Sequence, residues 1–533
     1  MRRARQYICL TIAVMLILNT GISAYATGLK YNMSYIYYGN ADYFAQSVSN
    51  TQGSVNEVSP DYFTLNSSGD LVLTPDVSSS FVSNMHDGGV KVSPYLTNDW
   101  DQARGVAALK NGDKLSDELA EAITKYDLDG VNIDIENLTP DERTEYVDFV
   151  RLLRTKLGSG RILAVAVAAN PYGTGAGWAG SYDYAGLAEY CDYLMVMAYD
   201  ESYYGSAPGP VASIGTAEKS IKYALSVVPK EKIVLGLPFY GRIWSSGGGY
   251  PNGYGVSDST IESLIKDYNG TVSLDGVSKA ACATITVGDS DTKPIIAGKA
   301  LSAGTYQIWY SNEDALKAEL GLVTKYDILG TGSWSLGQEA DDTWDYYKLW
   351  LNGCTFGDVQ NSWAKSSILT AYLNKWMNGI SSDAFEPDAP MTRAQAAAIL
   401  VRMLGLTPAA DGAYSFGDCS GSWAESYIDT ARKYSIVSGV GGNLFSPDSP
   451  VTREQTAVML NNVLRYADSD PAGTFSDVTP EGNSWSFDAV NALSEKGILT
   501  GYGDGTFKPG GNVTRAEIAA MISRIDLSQF KID

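Results

Sequence analysis

The distribution of apolar and polar positions divides the chain near Gly353 into two regions. Between residues 28 and 352, short apolar segments alternate with longer helical patterns, which is typical of a parallel α/β fold. Eight strands are predicted, at residues 33–38, 58–65, 90–96, 130–136, 162–169, 193–199, 233–239 and 332–336. Eight strands with intervening helices indicate a (β/α)8 TIM barrel with a small insertion, at about residues 242–300, between strands seven and eight.

The fourth predicted strand carries a polar face. Residues 130–136 alternate apolar and polar side chains, so Asn132, Asp134 and Glu136 point to the same side. Two carboxylates at positions i and i+2 oppose each other's ionisation, which raises the pKa of one of them and makes it a candidate acid near neutral pH. An exposed edge strand would show the same alternation, but this segment lacks the Lys, Thr and Pro that are typical of edges. The pattern therefore favours glycoside chemistry.

Beyond Gly353 the chain consists of three units about sixty residues apart. Such repetition indicates helical units that bury their apolar faces against one another. Each unit contains a capping box, Thr-Arg-x-Gln or Thr-Arg-x-Glu, followed by a helix with a core-facing apolar stripe. The three boxes begin at Thr392, Thr452 and Thr514. This region is predicted to be all-α.

The capping boxes do not account for their arginines. Arg393, Arg453 and Arg515 lie in the first helical turn, where the positive end of the helix dipole disfavours a cation. A bound anion would reverse that penalty, so these residues are candidate anion ligands. Because an arginine at this position makes no cap hydrogen bond, we expect the helices to survive its removal.

The composition restricts the chemistry further. The 533 residues contain a single histidine, His86, which leaves almost nothing for Ser-His or Cys-His nucleophiles or for a histidine-rich metal site. We therefore expect no metal and no cofactor, and acid–base work by carboxylates and tyrosines. His86 stands in a turn-like string and is expected in a surface loop. Four cysteines beyond residue 26 are too scattered for a disulfide scaffold or a zinc ribbon.

Residues 1–26 are typical of a secretory signal. Three arginines precede an apolar stretch at residues 7–18, and the segment closes on Ala24-Tyr25-Ala26, which predicts cleavage after Ala26. A membrane anchor is the alternative, although the apolar core is short for a membrane span. Cleavage takes the formal net charge from −22 to −25. We expect so acidic an exported protein to bind neither nucleic acid nor, after cleavage, a membrane.

Four segments of the first region resemble family 18 glycoside hydrolases. Asp129, Asn132, Asp134 and Glu136 stand on the positions of that family's DxxDxDxE signature, with Asn132 as a departure from Asp. The other matching segments are Met197-Ala-Tyr199-Asp200 after strand six, Leu235 to Arg242 around strand seven, and Trp334 at strand eight. The resemblance implies a glycosidase that acts on N-acetylated sugars.

It also implies roles for single residues. Glu136 would be the general acid, Asp134 would orient the substrate's acetamido group, and Tyr199 would donate a hydrogen bond to that group. Asn132 would support Asp134 without adding a charge. The substrate-binding residues would be Asp200, Trp334, Tyr240 and Arg242.

The three C-terminal units, at residues 353–412, 413–472 and 473–528, resemble S-layer homology repeats. That family folds as a pseudo-threefold helical bundle and binds anionic secondary polymers of Gram-positive cell walls. The resemblance implies that Arg393, Arg453 and Arg515 hold acidic groups of such a polymer. Gln395 and Gln455 depart from the family's usual Glu. The tryptophans that precede each capping box, Trp363, Trp423 and Trp485, are expected mainly in the core.

Together these features predict a secreted glycosidase anchored in the cell wall of a Gram-positive-type bacterium. Its expected substrate is a β-1,4-linked glycan that contains N-acetylglucosamine. The sequence after Glu136, Asn137-Leu138, is closer to wall and spore-cortex members than to chitinases, which favours peptidoglycan over chitin. A non-catalytic glycan-binding barrel and a structural surface-layer subunit are the alternatives.

Overall fold

The computed structural model describes residues 28–410, 414–466 and 473–527, so the expected signal at residues 1–26 lies outside the described residues. The chain forms two compact units that meet in sequence between Asp341 and Asp342. This boundary precedes Gly353 because the helix at Thr343–Leu351 belongs to the second unit, where Leu349 joins the hydrophobic core. Within the described residues, no helix has both the length and the apolar character required to cross a membrane.

The strands are numbered along the chain. They are β1 Tyr31–Ile36, β2 Glu57–Pro60, β3 Phe63–Leu65, β4 Leu71–Leu73, β5 Lys91–Val92, β6 Tyr95–Thr97, β7 Gly130–Asp134, β8 Ile162–Ala168, β9 Tyr193–Met197, β10 Ile233–Pro238, β11 Tyr240–Ser245, β12 Asn252–Ser257, β13 Thr271–Leu274, β14 Ala281–Val287, β15 Ile295–Ile296, β16 Lys299–Ala300, β17 Gly304–Tyr310 and β18 Gly330–Trp334.

The helices are numbered in the same way. They are α1 Ala41–Asn50, α2 Ser79–Asp87, α3 Gln102–Lys110, α4 Gly112–Lys125, α5 Arg143–Leu157, α6 Tyr184–Tyr190, α7 Ile214–Val227, α8 Asp258–Asp267, α9 Glu313–Tyr326, α10 Thr343–Leu351, α11 Lys365–Leu373, α12 Arg393–Met403, α13 Glu425–Lys433, α14 Arg453–Leu464, α15 Phe487–Glu495 and α16 Arg515–Ile522. Short 3-10 helices occur at Pro140–Glu142, Trp178–Ser181 and Lys230–Lys232.

The main sheet closes into a barrel through its third strand. This strand is interrupted at Ser93 and Pro94, since proline has no backbone N–H to give to a neighbouring strand. Its first half, β5, pairs parallel with β2, and its second half, β6, pairs parallel with β3 and β7. The other parallel neighbours follow in the order β7, β8, β9, β10, β18, β1 and β2. The predicted (β/α)8 barrel is therefore confirmed.

Strand β8 shows why the barrel is stable. All seven of its residues are buried, because alternate side chains face the barrel interior and the surrounding helices. On the interior side, Ala164 and Ala166 leave room for the large rings of Tyr31 and Tyr193, which belong to the same core cluster. Glu57 is also buried here, and it accepts hydrogen bonds from Ser93 Oγ and from Tyr193 Oη, the latter at 2.9 Å.

The second sheet lies in the chain between β10 and β18, and it is larger than the expected insertion at residues 242–300. Its strands run antiparallel in the order β12, β11, β17, β14 and β13. Together with α8 they enclose a separate hydrophobic cluster that includes Ile243, Ile261 and Ile308. Because β11 begins directly after β10, Tyr240 and Arg242 belong to this insertion rather than to the barrel strand.

His86 lies in helix α2, so the expectation of a surface loop is wrong. Its Nε2 atom is 2.9 Å from Asp129 Oδ2, and the same oxygen accepts a hydrogen bond from Val92 N at 2.8 Å. Asp129 precedes β7 and therefore lies at the end of the barrel opposite Asp134 and Glu136. The first aspartate of the signature thus holds strands together and does not reach the site.

The second unit is a cyclic arrangement of helix pairs. Helix α12 packs against α13, α14 against α15, and α16 returns to pack against α11, so the third repeat contacts the first. One hydrophobic core runs through all three repeats. All three predicted capping boxes are present, with the Thr hydroxyl accepting from the third helical residue and the Gln or Glu side chain accepting from the Thr backbone.

The repeat tryptophans are not core residues, and that expectation is wrong. The relative exposures of Trp363, Trp423 and Trp485 are 67%, 59% and 55%. Phenylalanine pairs fill the interior in their place. The ring centroids of Phe356 and Phe385, Phe416 and Phe445, and Phe475 and Phe507 are 5.8, 5.3 and 5.3 Å apart.

The arginines of the capping boxes have partners within the protein. Arg393, Arg453 and Arg515 are 4%, 3% and 7% exposed. The Nε atom of Arg515 donates to Phe385 O at 2.6 Å and its Nη2 atom donates to Asn378 O at 2.7 Å, while the guanidinium lies 4.3 Å from the Phe385 ring centroid. Arg393 and Arg453 make the equivalent contacts with the following repeat. No bound anion is needed to account for these cations, and their contacts lead us to expect, in place of survival, a loss of stability when an arginine is removed.

We predict that Arg515→Ala destabilises the second unit. The substitution leaves the buried Phe385 carbonyl and the partly buried Asn378 carbonyl without their donors, which should lower the free energy of unfolding by about 3 kcal/mol. Calorimetry of the full chain should show a lower melting temperature for one transition only. Lys433→Ala, at an exposed position of α13, should leave both transitions in place. An unchanged melting profile for Arg515→Ala would contradict the structural role of the arginine.

Candidate active site

A cleft of about 450 Å³ opens at the carboxyl ends of the barrel strands. It contains seven of the eight residues predicted for catalysis and substrate binding. These are Asp134, Glu136, Tyr199, Asp200, Tyr240, Arg242 and Trp334. The eighth, Asn132, is fully buried beneath the cleft and does not line it.

Glu136 is held in place by the end of the neighbouring strand. Strand β7 ends at Asp134, two residues earlier than predicted, so Glu136 lies in the loop that follows. The Oδ1 atom of Asn98 accepts a hydrogen bond from Glu136 N at 2.9 Å, and Asn98 Nδ2 donates to Glu136 O at 2.9 Å. Asn98 is fully buried after β6, and nothing in the sequence pattern singled it out. The positive φ of 58° at Asn137 then turns the chain away from the cleft.

The pKa values of the Asp134 and Glu136 carboxyl groups are both raised, so the pair holds one proton between them. Burial raises the pKa of Asp134, which is 5% exposed, and its Oδ1 atom has no hydrogen-bond partner among the described residues. Burial raises the pKa of Glu136 well above its usual range, and the negative charges of Asp134 and Asp200 raise it further. The pair therefore retains a proton where isolated carboxylates would lose theirs, as the strand pattern predicts.

Asn132, two residues before Asp134 on β7, contacts the aromatic floor of the cleft. Its Nδ2 atom donates to Tyr35 Oη at 3.1 Å, and the ring of Tyr35 lies 5.2 Å from the ring of Trp334. Trp334 also contacts Tyr37 and Tyr95, at 5.5 and 5.9 Å between centroids. Because the amide is neutral, Asn132 fixes this network without adding a third negative charge beneath Asp134.

Asp200 joins the barrel to the insertion. It adopts φ 60° directly after Tyr199, and its Oδ1 atom accepts hydrogen bonds from Tyr240 Oη at 2.7 Å and from Arg242 Nη2 at 2.7 Å. Arg242 Nη1 also donates to Gly253 O at 2.8 Å. The ion pair fixes one wall of the cleft. Burial raises the pKa of Tyr199 well above its usual range, so its hydroxyl remains a hydrogen-bond donor.

Three exposed aromatic residues of the cleft were not predicted as site residues. Tyr37 and Tyr38 follow β1, and Trp100 follows β6. Trp100 is 52% exposed; its carbonyl accepts from Asn137 Nδ2 at 2.9 Å and its ring lies 5.3 Å from that of Trp178. Their position at the carboxyl ends of predicted barrel strands could have identified them, because the active site of a TIM barrel lies at those ends.

The barrel region matches a known family of glycosidases. Residues 84–339 match the model of glycosyl hydrolases family 18, and residues 355–397, 415–457 and 474–519 each match the S-layer homology domain. The chain therefore consists of a family 18 glycosyl hydrolase domain followed by three S-layer homology domains.

Several known proteins are similar to parts of the chain. The uncharacterized glycosylase YvbX of Bacillus subtilis is 26% identical over 348 residues, which cover 63% of this chain and 95% of that protein. The cortical fragment-lytic enzyme of the same organism is 26% identical over 43% of this chain, and the match spans 52% of its length. The crystal structure of a chitinase from Chromobacterium violaceum superimposes with a TM-score of 0.53, at 23% identity, over 60% of this chain and 99% of the chitinase, which shows a shared fold.

We predict that Asp134→Asn shifts the pH dependence of residual hydrolysis. A general acid works below its pKa, and its activity is lost as the pH rises through that pKa. Removing the charge of Asp134 lowers the pKa of Glu136, so the alkaline limb of kcat/KM should move to lower pH. Asp113→Asn, an exposed carboxylate on α4, should leave it unmoved. If the alkaline limb of kcat/KM lies at the same pH in the Asp134→Asn variant and in the parent, the charge of Asp134 does not raise the pKa of Glu136.

Proposed function

We propose that the first unit cleaves β-1,4 bonds of glycans that contain N-acetylglucosamine, by substrate-assisted catalysis with retention of configuration. The proposal rests on the buried, proton-retaining pair of Asp134 and Glu136 at the base of an aromatic cleft. The third carboxylate of the cleft, Asp200, is engaged by Tyr240 and Arg242 and is poorly placed to act as a nucleophile. The resemblance to family 18 implies that the substrate's own acetamido group supplies the nucleophile.

In the first step, neutral Glu136 donates its proton to the glycosidic oxygen. The acetamido oxygen attacks the anomeric carbon, the bond to the leaving sugar breaks, and a cyclic oxazolinium forms. The Asp134 carboxylate stabilises the developing positive charge, and the Tyr199 hydroxyl donates to the acetamide oxygen. Glu136, now ionised, removes a proton from water as the water attacks the anomeric carbon. The oxazolinium ring opens, and the product keeps the β configuration.

The aromatic residues provide the sugar-binding surface. Trp334 forms the floor beside the reacting bond, braced by Tyr35 and Tyr37. Exposed rings of Tyr38 and Trp100 extend the surface beyond that floor and are suited to stacking on further sugar units. A polymer therefore fits the cleft better than a disaccharide does.

Peptidoglycan or a related wall glycan is the proposed substrate, in preference to chitin. The S-layer homology domains indicate a protein held at the cell surface or cell wall, beside such a polymer. The name of one relative, the cortical fragment-lytic enzyme, points in the same direction. The similarity to the chitinase structure is a similarity of fold and does not indicate the substrate.

We predict that Glu136→Gln lowers turnover by about 10²-fold or more, the usual loss for a general acid. The change is isosteric, and Asn98 binds the backbone of residue 136, so the loop should keep its position. New reducing ends should be measured with chitooligosaccharides and with purified peptidoglycan, and sugar binding by calorimetry should persist. Hydrolysis by the Glu136→Gln variant at the parent rate would show that Glu136 is not the general acid.

The acetamido requirement gives the matching control. Fully deacetylated chitosan and cellulose carry no acetamide and should release no new ends with the parent enzyme. Efficient cleavage of either would indicate an enzyme nucleophile in place of the substrate's own.

We further propose that the second unit anchors the enzyme to an anionic wall polymer. Grooves between neighbouring repeats contain a capping-box arginine and an exposed tryptophan: Arg453 with Trp363, and Arg515 with Trp423. Arg393 has equivalent contacts in the remaining pair of repeats. Export through a signal at residues 1–26 completes the proposal of a wall-bound enzyme.

Anchoring predicts that the full chain sediments with purified sacculi of a Gram-positive bacterium. Sacculi stripped of their anionic polymer by hydrofluoric acid should retain at most about one tenth as much protein, because the guanidinium groups lose their counter-charges. Peptidoglycan itself survives that treatment and serves as the control for binding by the barrel. Equal sedimentation with stripped sacculi would contradict the proposed anchor.

A further inference from the structure

The rim segment at residues 169–183 follows β8, the strand next to β7 in the barrel. It carries Trp178, whose ring centroid lies 5.3 Å from that of Trp100. Trp100 lines the cleft, whereas Trp178 lies beyond the lining residues and is 38% exposed. Asn170 is buried and fixes the segment, because it accepts from Thr174 N at 2.8 Å and donates to Thr174 O at 2.9 Å. Trp178 therefore extends the aromatic surface of the cleft from an ordered segment.

An arginine of the neighbouring helix also holds this segment. Arg143, the first residue of α5, donates through Nη1 to Gly180 O at 3.1 Å and to Tyr182 O at 2.9 Å. Its Nη2 atom lies 3.0 Å from Asp183 Oδ1. Helix α5 is the next α-helix after the loop that contains Glu136. The segment is thus bound to the part of the chain that carries the general acid.

Tyr182 connects the exposed indole to the acid. Its side chain is fully buried, and its Oη atom donates to Ile135 O at 3.2 Å. Ile135 directly precedes Glu136 in the chain. The ring of Tyr182 lies 6.0 Å from that of Trp178 and 5.8 Å from that of Tyr146, between centroids. One buried residue therefore contacts both Trp178 and the backbone beside the acid.

The aromatic residues of the cleft form two groups on opposite sides of the barrel. Trp334 ends β18 and Tyr37 follows β1, whereas Trp100 and Trp178 follow β6 and β8, on either side of β7. Strand β18 is four strands from β7 in a barrel of eight, so the two groups face each other across the rim. The proposed mechanism places the reacting sugar on Trp334 and the proton donor after β7. The departing part of the chain then lies toward Trp100 and Trp178.

We propose that Trp178 binds a second sugar of the departing chain, beyond the sugar next to Trp100, and that Tyr182 is a positioning residue that fixes this binding position relative to Glu136. The ligand is a pyranose ring of the substrate polymer, which stacks its apolar face on the exposed indole. The assignment rests on the proposed glycosidase function. It adds that the enzyme prefers bonds inside a polymer, with at least two sugars on the departing side, because their binding energy contributes to kcat/KM.

Substrates of different length test the role of Trp178. Long substrates are chitohexaose and peptidoglycan strands freed of their peptides. The short substrate is the nitrophenyl glycoside of diacetylchitobiose, whose leaving group contains no sugar. Trp178→Ala should lower kcat/KM for the long substrates by about tenfold or more, mainly through KM, because a stacking surface is lost. The same variant should act on the short substrate within about twofold of the parent.

Tyr172→Ala is the matched control. Tyr172 belongs to the same segment and is 81% exposed, but its ring lies beside Lys219 of α7, with the ammonium 5.3 Å from the ring centroid. If position near Trp100 matters and exposure alone does not, Tyr172→Ala should leave kcat/KM unchanged for long and short substrates alike.

Tyr182→Phe tests the positioning role separately. The variant keeps the ring between Trp178 and Tyr146 but loses the hydrogen bond to Ile135 O. It should lower kcat for the long substrates about fivefold or more with little change in KM, because the departing sugars stay bound but are misaligned with the acid. The short substrate should be unaffected, since Asn98 still binds Glu136. Melting temperatures within a few degrees of the parent serve as the check, and if Tyr182→Phe does not fold, Trp178→Ala decides the assignment.

The outcomes separate this inference from the proposed function. If the parent cleaves the long substrates and Trp178→Ala cleaves them equally well, the binding position is overturned and the glycosidase proposal stands. An equal loss for long and short substrates would also overturn it, since Trp178 would then support the rim as a whole. If the parent releases no new reducing ends from any of the substrates, the proposed function itself fails.

Discussion

Parallel closure of the barrel is the constraint on which the active site depends. Because all eight strands run in one direction, the residues that follow them meet at a single rim. The closure of β6 onto β7 does more than complete the cylinder, since Asn98 after the one strand binds both backbone groups of Glu136 after the other. The acid is therefore fixed by the same pairing that forms the barrel.

The charges at that rim follow from burial and from the distribution of cations. Within the described part of the chain, Arg242 is the one cation that lines the cleft, and it pairs with Asp200. Asp134 and Glu136 are left without a counter-charge in a buried position, which favours retention of a proton. Asn132 belongs to this balance, because an aspartate at the same position would add charge beneath the pair.

The second unit depends on one motif that recurs in every repeat. A buried arginine beside each helix start ties its repeat to the turn of the next, and the cycle closes when Arg515 of the third repeat reaches Phe385 of the first. The same pair of contacts with backbone carbonyl groups recurs in each repeat, so the three helix starts are fixed by the closure of the cycle.

Features that arise from local periodicity and from short motifs could be predicted from the amino-acid sequence alone. Short apolar segments located the eight strands, alternation with period two located the polar face of Asn132, Asp134 and Glu136, and the Thr-Arg strings located three helix starts, because all of these depend on neighbouring residues. The family resemblance then placed seven residues that meet in the cleft.

Tertiary structure decided which distant groups become partners. Asn98 lies 38 residues from Glu136, and Phe385 lies 130 residues from Arg515, so no local pattern connects them. For the same reason the arginines were misread as cations without partners and the repeat tryptophans as core residues. A side chain is buried only where another segment of the chain covers it. Which segment covers it depends on how the barrel and the three repeats close.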